Sequence, residues 1–352
     1  MNMNSVITPE RAESITKSLL NWYDESKRDL PWRHAHEPYA VWISEIMAQQ
    51  TRIAYLLSYY ERFMSRFPTL QSLAEACEDV ILKVWEGLGY YARARNLQKA
   101  AQKIMTDFGG QLPRTKEELL TLPGIGDYTA GAILSIAYGI PIPAVDGNVL
   151  RVYARLENTD EDILLPKTKT QAANFVAVLM PPERAGCFTQ ALMELGALVC
   201  LPKSPDCPTC PVAAFCLAKE CGRQQELPKK SAKKPPKTFQ KTVLIIRNAD
   251  GQILMRQRTE TLLSGLWEFC LPDSAMTETK AKMYLQGLGF SVKEMKDIGA
   301  AKHIFTHQIW HMCGYDCTVS GDSIPAGYQW VQKENVKNLA IPTAIRFYAE
   351  QI

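Results

Sequence analysis

The sequence predicts an all-α N-terminal domain joined by a basic linker to a smaller α+β C-terminal domain. Three observations carry this: a helical hydrophobic period to about residue 220, a lysine- and proline-rich run after it, and two-residue alternation beyond. At 352 residues the chain is long enough for two cores, and a composition of 46% hydrophobic and 22% charged residues excludes wholesale disorder. No apolar stretch is long enough to span a bilayer, and the polar N-terminus lacks a signal pattern, so the expectation is a cytoplasmic protein with no membrane partner. A net charge of +3 is too small to demand a polyanionic partner; any such contact has to come from local patches.

Taken in order, Thr8 caps and Pro9 opens a first helix whose apolar positions are Ile15, Leu19, Leu20 and Tyr23. Periodic stretches follow near 38–50, 53–66, 92–107, 126–138, 147–156, 168–180 and 184–198, separated by short polar or Pro/Gly connectors. This first domain spans 1–226. Residues 227–241, LPKKSAKKPPKTFQK, hold six lysines and three prolines and read as a self-repelling linker. Over 242–352 the pattern changes. KTVLIIRN and GQILMRQR, bridged by Asp250 and Gly251, predict a β-hairpin; an amphipathic stretch near 277–288, strands through 331 and a helix near 341–350 complete the domain.

Four of the ten cysteines lie close together: Cys200, Cys207, Cys210 and Cys216, spaced C-x6-C-x2-C-x5-C, with Pro202, Pro205, Pro208 and Pro211 stiffening the loop. Four thiolates in one loop suit zinc or an iron–sulfur cluster, and thiolate chemistry alone leaves the two open. Cys221 is a spare, and the other five read as core or surface thiols.

Upstream, LPGIGDYTAGAI (122–133) places Gly124 and Gly126 before a helix. Such a turn exposes backbone N–H groups beside the positive end of the helix, which can hold a phosphate without a charged side chain. Asp146 follows in AVDGNV, where it can cap a helix or serve as a carboxylate for chemistry; Asn148 is placed to hydrogen-bond it. Glu45 falls among Trp42, Ile43, Ile46 and Met47, so burial should raise its pKa towards that of a general acid.

Together these residues resemble the helix-hairpin-helix DNA repair glycosylases. The cysteine spacing matches their endonuclease III-type iron–sulfur signature, which implies a [4Fe-4S] cluster. Within that group the chain resembles the MutY family of adenine DNA glycosylases: SEIMAQQT (44–51) is close to SEhMLQQT, with h any hydrophobic residue, and LPWR (30–33), WEGLGYYARARNL (85–97) and FTQALMELGALVC (188–200) extend the likeness across the first domain. The resemblance implies an enzyme that flips adenine out of duplex DNA and hydrolyses its glycosidic bond where the opposite base is 8-oxoguanine or guanine. Glu45 would protonate the base, Asp146 stabilise the sugar cation or attack it, Arg33 and Gln190 line the adenine pocket, and Gln50, Thr51, Leu88, Tyr90, Gly124 and Gly126 meet DNA. Bifunctional relatives carry a lysine where this chain has Tyr128, and a phenol cannot form an imine, so excision without strand cleavage is expected. Tyr128 is expected near the sugar, bonded to Asp146. Ala48 stands where the family usually has leucine.

The segment LIIRNADGQILMRQRTETLLSGLWEF (244–269) resembles the start of a Nudix domain, while CLPDSAMTETKAKMYLQGLGF (270–290) lacks the R-E-x-x-E-E core of pyrophosphate hydrolysis. In this family the module reads the oxidised guanine. Phe305, Thr306 and His307 stand in place of Phe-Ser-His as lesion contacts. HIFTHQIWHM (303–312) reads as one strand, on which His303, His307 and His311 spread too far to share an ion. The resemblance implies a monomer acting on the nucleoid. An oxidised-pyrimidine glycosylase fits Tyr128 and the C-terminal module less well, and a non-catalytic DNA-binding protein gripping duplex through the hairpin and a metal clamp is the reading from another class.

Overall fold

The computed structural model describes residues 7–34, 37–232, 235–321 and 324–352; the first residues of the polar N-terminus, and Lys233 and Lys234 of the linker, lie outside this set. The helices in chain order are α1 (Pro9–Ser26), α2 (Pro38–Ala48), α3 (Ile53–Arg66), α4 (Leu70–Ala74), α5 (Glu78–Val84), α6 (Ala92–Asp107), α7 (Lys116–Leu120), α8 (Asp127–Ala132), α9 (Gly147–Leu156), α10 (Pro166–Leu179), α11 (Ala185–Leu198), α12 (Leu217–Glu220), α13 (Glu278–Gly287), α14 (Lys333–Val336) and α15 (Arg346–Ala349). By compactness the chain divides into one unit running to Ala74 and from Lys99 to Ala232, and a second made of Glu75–Gln98 and Lys233–Ile352. Period alone assigns Glu75–Gln98 to the helical part. It packs instead with the C-terminal residues: Lys83 Nζ donates to the Leu339 carbonyl at 2.9 Å, and Ile341 N donates to Glu86 Oε1 at 3.2 Å.

In the first unit, Thr8 accepts from Arg11 N and Pro9 starts α1, as its sequence requires. Ile15, Leu19, Leu20 and Tyr23 of α1 enter one core with α9, α10 and α11. α2 is apolar all round and buried from Ala40 to Met47, Glu45 included. The helix expected over 126–138 is α8 followed by one π-helical turn, Ile133–Ala137. α8 lies close against the strand-like segment behind it: a Cβ on Gly131 would stand 2.2 Å from the Pro143 carbonyl oxygen, so only glycine fits.

The second unit holds a six-stranded sheet of β1 (Lys237–Arg247), β2 (Ile253–Gln257), β3 (Trp267–Glu268), β4 (Ser291–Ile304), β5 (Gln308–Ser320) and β6 (Tyr328–Val331). Its order is β3-β2-β1-β5-β4, with β6 on β2; β1 and β5 run parallel and the other pairs antiparallel. Alternation sends Val243 and Ile245 into one core with Phe269 and Tyr348, and Leu244 and Ile246 into the other with Leu285 and Phe290.

Three expectations are corrected here. β1 begins at Lys237, inside the run read as linker, because Lys237 to Lys241 pair with Gln308 to Met312 and Lys241 sits over the Trp310 ring at 4.4 Å. The single strand expected over 303–312 is a hairpin: β4 ends at Ile304 and β5 starts at Gln308, so His303 and His311 face each other's neighbours across the ladder rather than sharing a strand. The C-terminal helix is only a short 3-10 turn, Thr343–Ile345, followed by α15.

Candidate active site

α2, α8, the N-terminus of α9 and one face of α11 line a cleft of about 1370 Å³ in the first unit, ample for a nucleotide. Glu45 projects into it from α2. Burial pushes its carboxyl up to about 7; the Tyr128 hydrogen bond opposes this, the Asp146 charge adds to it, and Arg33 opposes it again. Tyr128, on α8, donates its hydroxyl to Glu45 Oε2. The expected bond from Tyr128 to Asp146 is therefore corrected: the phenol belongs to the acid, because α8 packs against α2. Burial and the neighbouring carboxylates hold the Tyr128 phenol well above its ordinary value, so it remains a donor.

Asp146 is the N-cap of α9, and both roles open to it in the sequence meet in one geometry. Its Oδ1 accepts from Asn148 N at 2.9 Å and Val149 N at 2.7 Å, while Asn148 Nδ2 donates to Oδ2 at 2.7 Å. Burial raises its pKa against the pull of those three donors. The side chain lines the cleft that Glu45 lines, so a cap and a second carboxylate coincide.

Arg33, Gln50, Thr51, Asn148 and Gln190 border the same cleft. Gln50 follows α2 with φ of 59°, a left-handed conformation uncommon outside glycine. Gly124 and Gly126 do not line it; they form the turn between α7 and α8, Gly124 with φ of 79° and Gly126 as an N-cap without a capping side chain. The hairpin thus leaves backbone donors of α8 without a side-chain acceptor.

Leu88 and Tyr90 lie in the second unit. There Tyr90, with φ of 47°, places its hydroxyl 2.5 Å from Thr306 Oγ1. Phe305 and His307 flank Thr306 in the β4–β5 turn, and Phe305 packs edge-on against His303 and Trp310. Sequence reading missed Glu194, which shares the cleft-lining face of α11 one turn beyond Gln190; that spacing of four was the available signal.

The four clustered cysteines are free and line one small, largely apolar pocket. Arg155 Nη1 donates to Cys200 Sγ at 3.1 Å. Among the described residues, no three His, Cys, Asp or Glu side chains gather closely enough to hold one metal ion. An all-thiol donor set round one pocket suits either a zinc ion or an iron–sulfur cluster. No helix among the described residues is long and apolar enough to cross a membrane.

A family model described as the HhH-GPD superfamily base excision DNA repair protein matches residues 43–182, and a NUDIX domain model matches 242–351. A thermostable thymine-DNA glycosylase structure overlays 60% of this chain and 98% of its own at TM-score 0.56 and 27% identity; an endonuclease III–DNA complex shares the fold at TM-score 0.53 over 62% and 99%, with 24% identity. The adenine DNA glycosylase of Homo sapiens is 35% identical over 94% of this chain and 72% of its own length. That of Buchnera aphidicola subsp. Schizaphis graminum is 34% identical over 85% and 86%. The chain belongs to the adenine DNA glycosylase family.

Proposed function

We propose that this chain excises adenine opposite 8-oxoguanine, or guanine, from duplex DNA by hydrolysis, and leaves the strand intact. The observation that carries the reading is a buried glutamic acid, its pKa raised to about 7, in a nucleotide-sized cleft that the helix-capping Asp146 also lines. Glu45 gives its proton to the flipped adenine, the glycosidic bond breaks, and the electron pair leaves with the base. Asp146 faces the positive charge that develops on the sugar, and water completes the exchange at the anomeric carbon. Asn148 holds Asp146 in register, and Tyr128 holds Glu45. Tyr128 offers no amine for an imine, which supports excision without lyase chemistry.

Gly124 and Gly126 grip the phosphate backbone, with Gln50 and Thr51 at the opened base stack; Leu88 and Tyr90, of the second unit, are further DNA contacts. Thr306, with Phe305 and His307, contacts the lesion from the Nudix-like domain, residues 242–352. Cys200, Cys207, Cys210 and Cys216 would hold a [4Fe-4S] cluster, which supplies structural bracing of the loop when bound. The test of the acid is Glu45→Gln. Adenine release near the wild-type rate would remove Glu45 from that role, and loss of release with retained duplex binding supports it.

A further inference from the structure

α3 leaves the cleft with a flank that the chemistry above does not use. Arg52, Ile53 and Ala54, at its start, line the cleft. Leu56, Tyr60 and Phe63 are its buried positions. Round the helix from them, Tyr55, Tyr59, Arg62 and Arg66 follow at i, i+4, i+7 and i+11, which keeps all four within an arc of about 60°. Tyr55 is 67% exposed, Arg62 and Arg66 are exposed, and Tyr59 is half-buried.

Charge and geometry together say what this flank suits. From Arg52 to Phe67 there are three arginines and one acid, Glu61, and the helical period puts Glu61 outside that arc. The whole chain carries a net charge of only +3, so positive charge is concentrated here. The guanidinium of Arg62 lies over the Tyr59 ring, 4.5 Å from the centroid, and that of Arg66 over the Phe67 ring at 5.9 Å. A guanidinium laid over a ring keeps its N–H groups in its own plane, directed sideways, and that planar fork matches a phosphate. Tyrosine hydroxyls are phosphate donors as well. The 14 residues of α3 make a helix about 21 Å long, which spans roughly six phosphates of one strand.

We infer that this flank of α3 is a second, sequence-independent contact for the sugar–phosphate backbone of the duplex beyond the cleft, with Arg62 and Arg66 each on a phosphate and Tyr55 beside them. This rests on the duplex-DNA reading above. The occupant is the substrate's own flanking duplex, because the stripe starts at the cleft and a DNA backbone continues past the flipped nucleotide as an unbroken row of negative charge. Such a contact adds affinity and fixes the lie of the duplex, and it reads no base.

The test measures binding of the full-length protein, over a range of salt concentrations, to duplexes carrying uncleavable 2′-fluoro-2′-deoxyadenosine opposite 8-oxoguanine. One duplex is trimmed to the footprint of the cleft, and two others extend it by a helical turn on one side or the other. For wild type, one of the extensions is expected to steepen the slope of log affinity against log salt by about two, the value for two phosphates neutralised. The double substitution Arg62→Gln, Arg66→Gln is expected to bind the trimmed duplex as wild type does and to lose that increment. A folded double variant that keeps the increment overturns the inference. Where the double variant fails to fold, hydroxyl-radical footprinting of wild type decides. Backbone protection running about six nucleotides past the trimmed footprint supports the contact, and protection that stops at the cleft edge overturns it. A wild type that excises adenine with one slope on all three duplexes overturns this inference alone and leaves the face to an acidic protein. One that shows the increment but excises nothing upholds the surface and overturns the catalytic reading.

Discussion

Glu45 stands in a helix buried from Ala40 to Met47, and that burial is why its carboxyl titrates at about 7 rather than 4.5. The folded chain binds this proton more tightly than the unfolded one. Its contribution to stability is therefore fully present below about pH 4.5 and is lost as pH rises through about 7. Glu45→Gln is expected to abolish excision, yet to resist urea better than wild type at mildly alkaline pH, by on the order of 3 kcal/mol. Equal urea midpoints at alkaline pH would mean the carboxyl is not held in an unfavourable site. The Tyr128 hydroxyl opposes the rise in the Glu45 pKa, so Tyr128→Phe is expected to move the alkaline limb of single-turnover excision to higher pH. An unmoved limb would show that the phenol does not tune the acid. Glu45 and Asp146 are legible in the sequence because each sits inside a short local pattern. The partner of Tyr128 and the arginine clamp on Glu194 are not, because they join segments far apart in the chain.

The long helices are the most legible elements: α3 over 53–66, α6 over 92–107 and α9 over 147–156 follow their apolar period closely. α4, α5 and α7 are five to seven residues each, too short to show a period, and escaped notice. The turn at residues 305–307 was hidden by flanking strands whose alternation reads through it. The approach of α11 to the start of α9 was equally invisible, and it positions the site. A Cβ on Gly196 would stand 2.5 Å from the Asn148 Cβ, the residue that braces Asp146. Gly196→Ala is expected to displace Asn148 and slow single-turnover excision by roughly 100-fold, the sensitivity typical of a misplaced catalytic group, with the helical circular-dichroism signal retained. Unchanged excision would mean the two helices can separate at no cost to Asp146.

At the scale of the whole molecule, two families of motif meet in one chain, a helical glycosylase and a Nudix-like sheet, and residues 75–98 of the first sequence region pack with the second unit. Tyr90 thereby meets Thr306, two residues 216 apart in sequence. Removing that hydroxyl in Tyr90→Phe frees Thr306 to rotate, and the preference for adenine opposite 8-oxoguanine over adenine opposite guanine is expected to fall about three- to ten-fold. An unchanged preference would assign discrimination to other contacts. The most direct measurement is single-turnover reaction of duplexes carrying adenine opposite 8-oxoguanine, worked up with and without hot alkali, beside borohydride trapping. Strand breaks only after alkali, with little covalent trapping, are expected from a cleft with an acid, an aspartate and a phenol. Breaks without alkali and efficient trapping would put an amine at the sugar and contradict the role given to Tyr128; no adenine release at all would contradict the function itself.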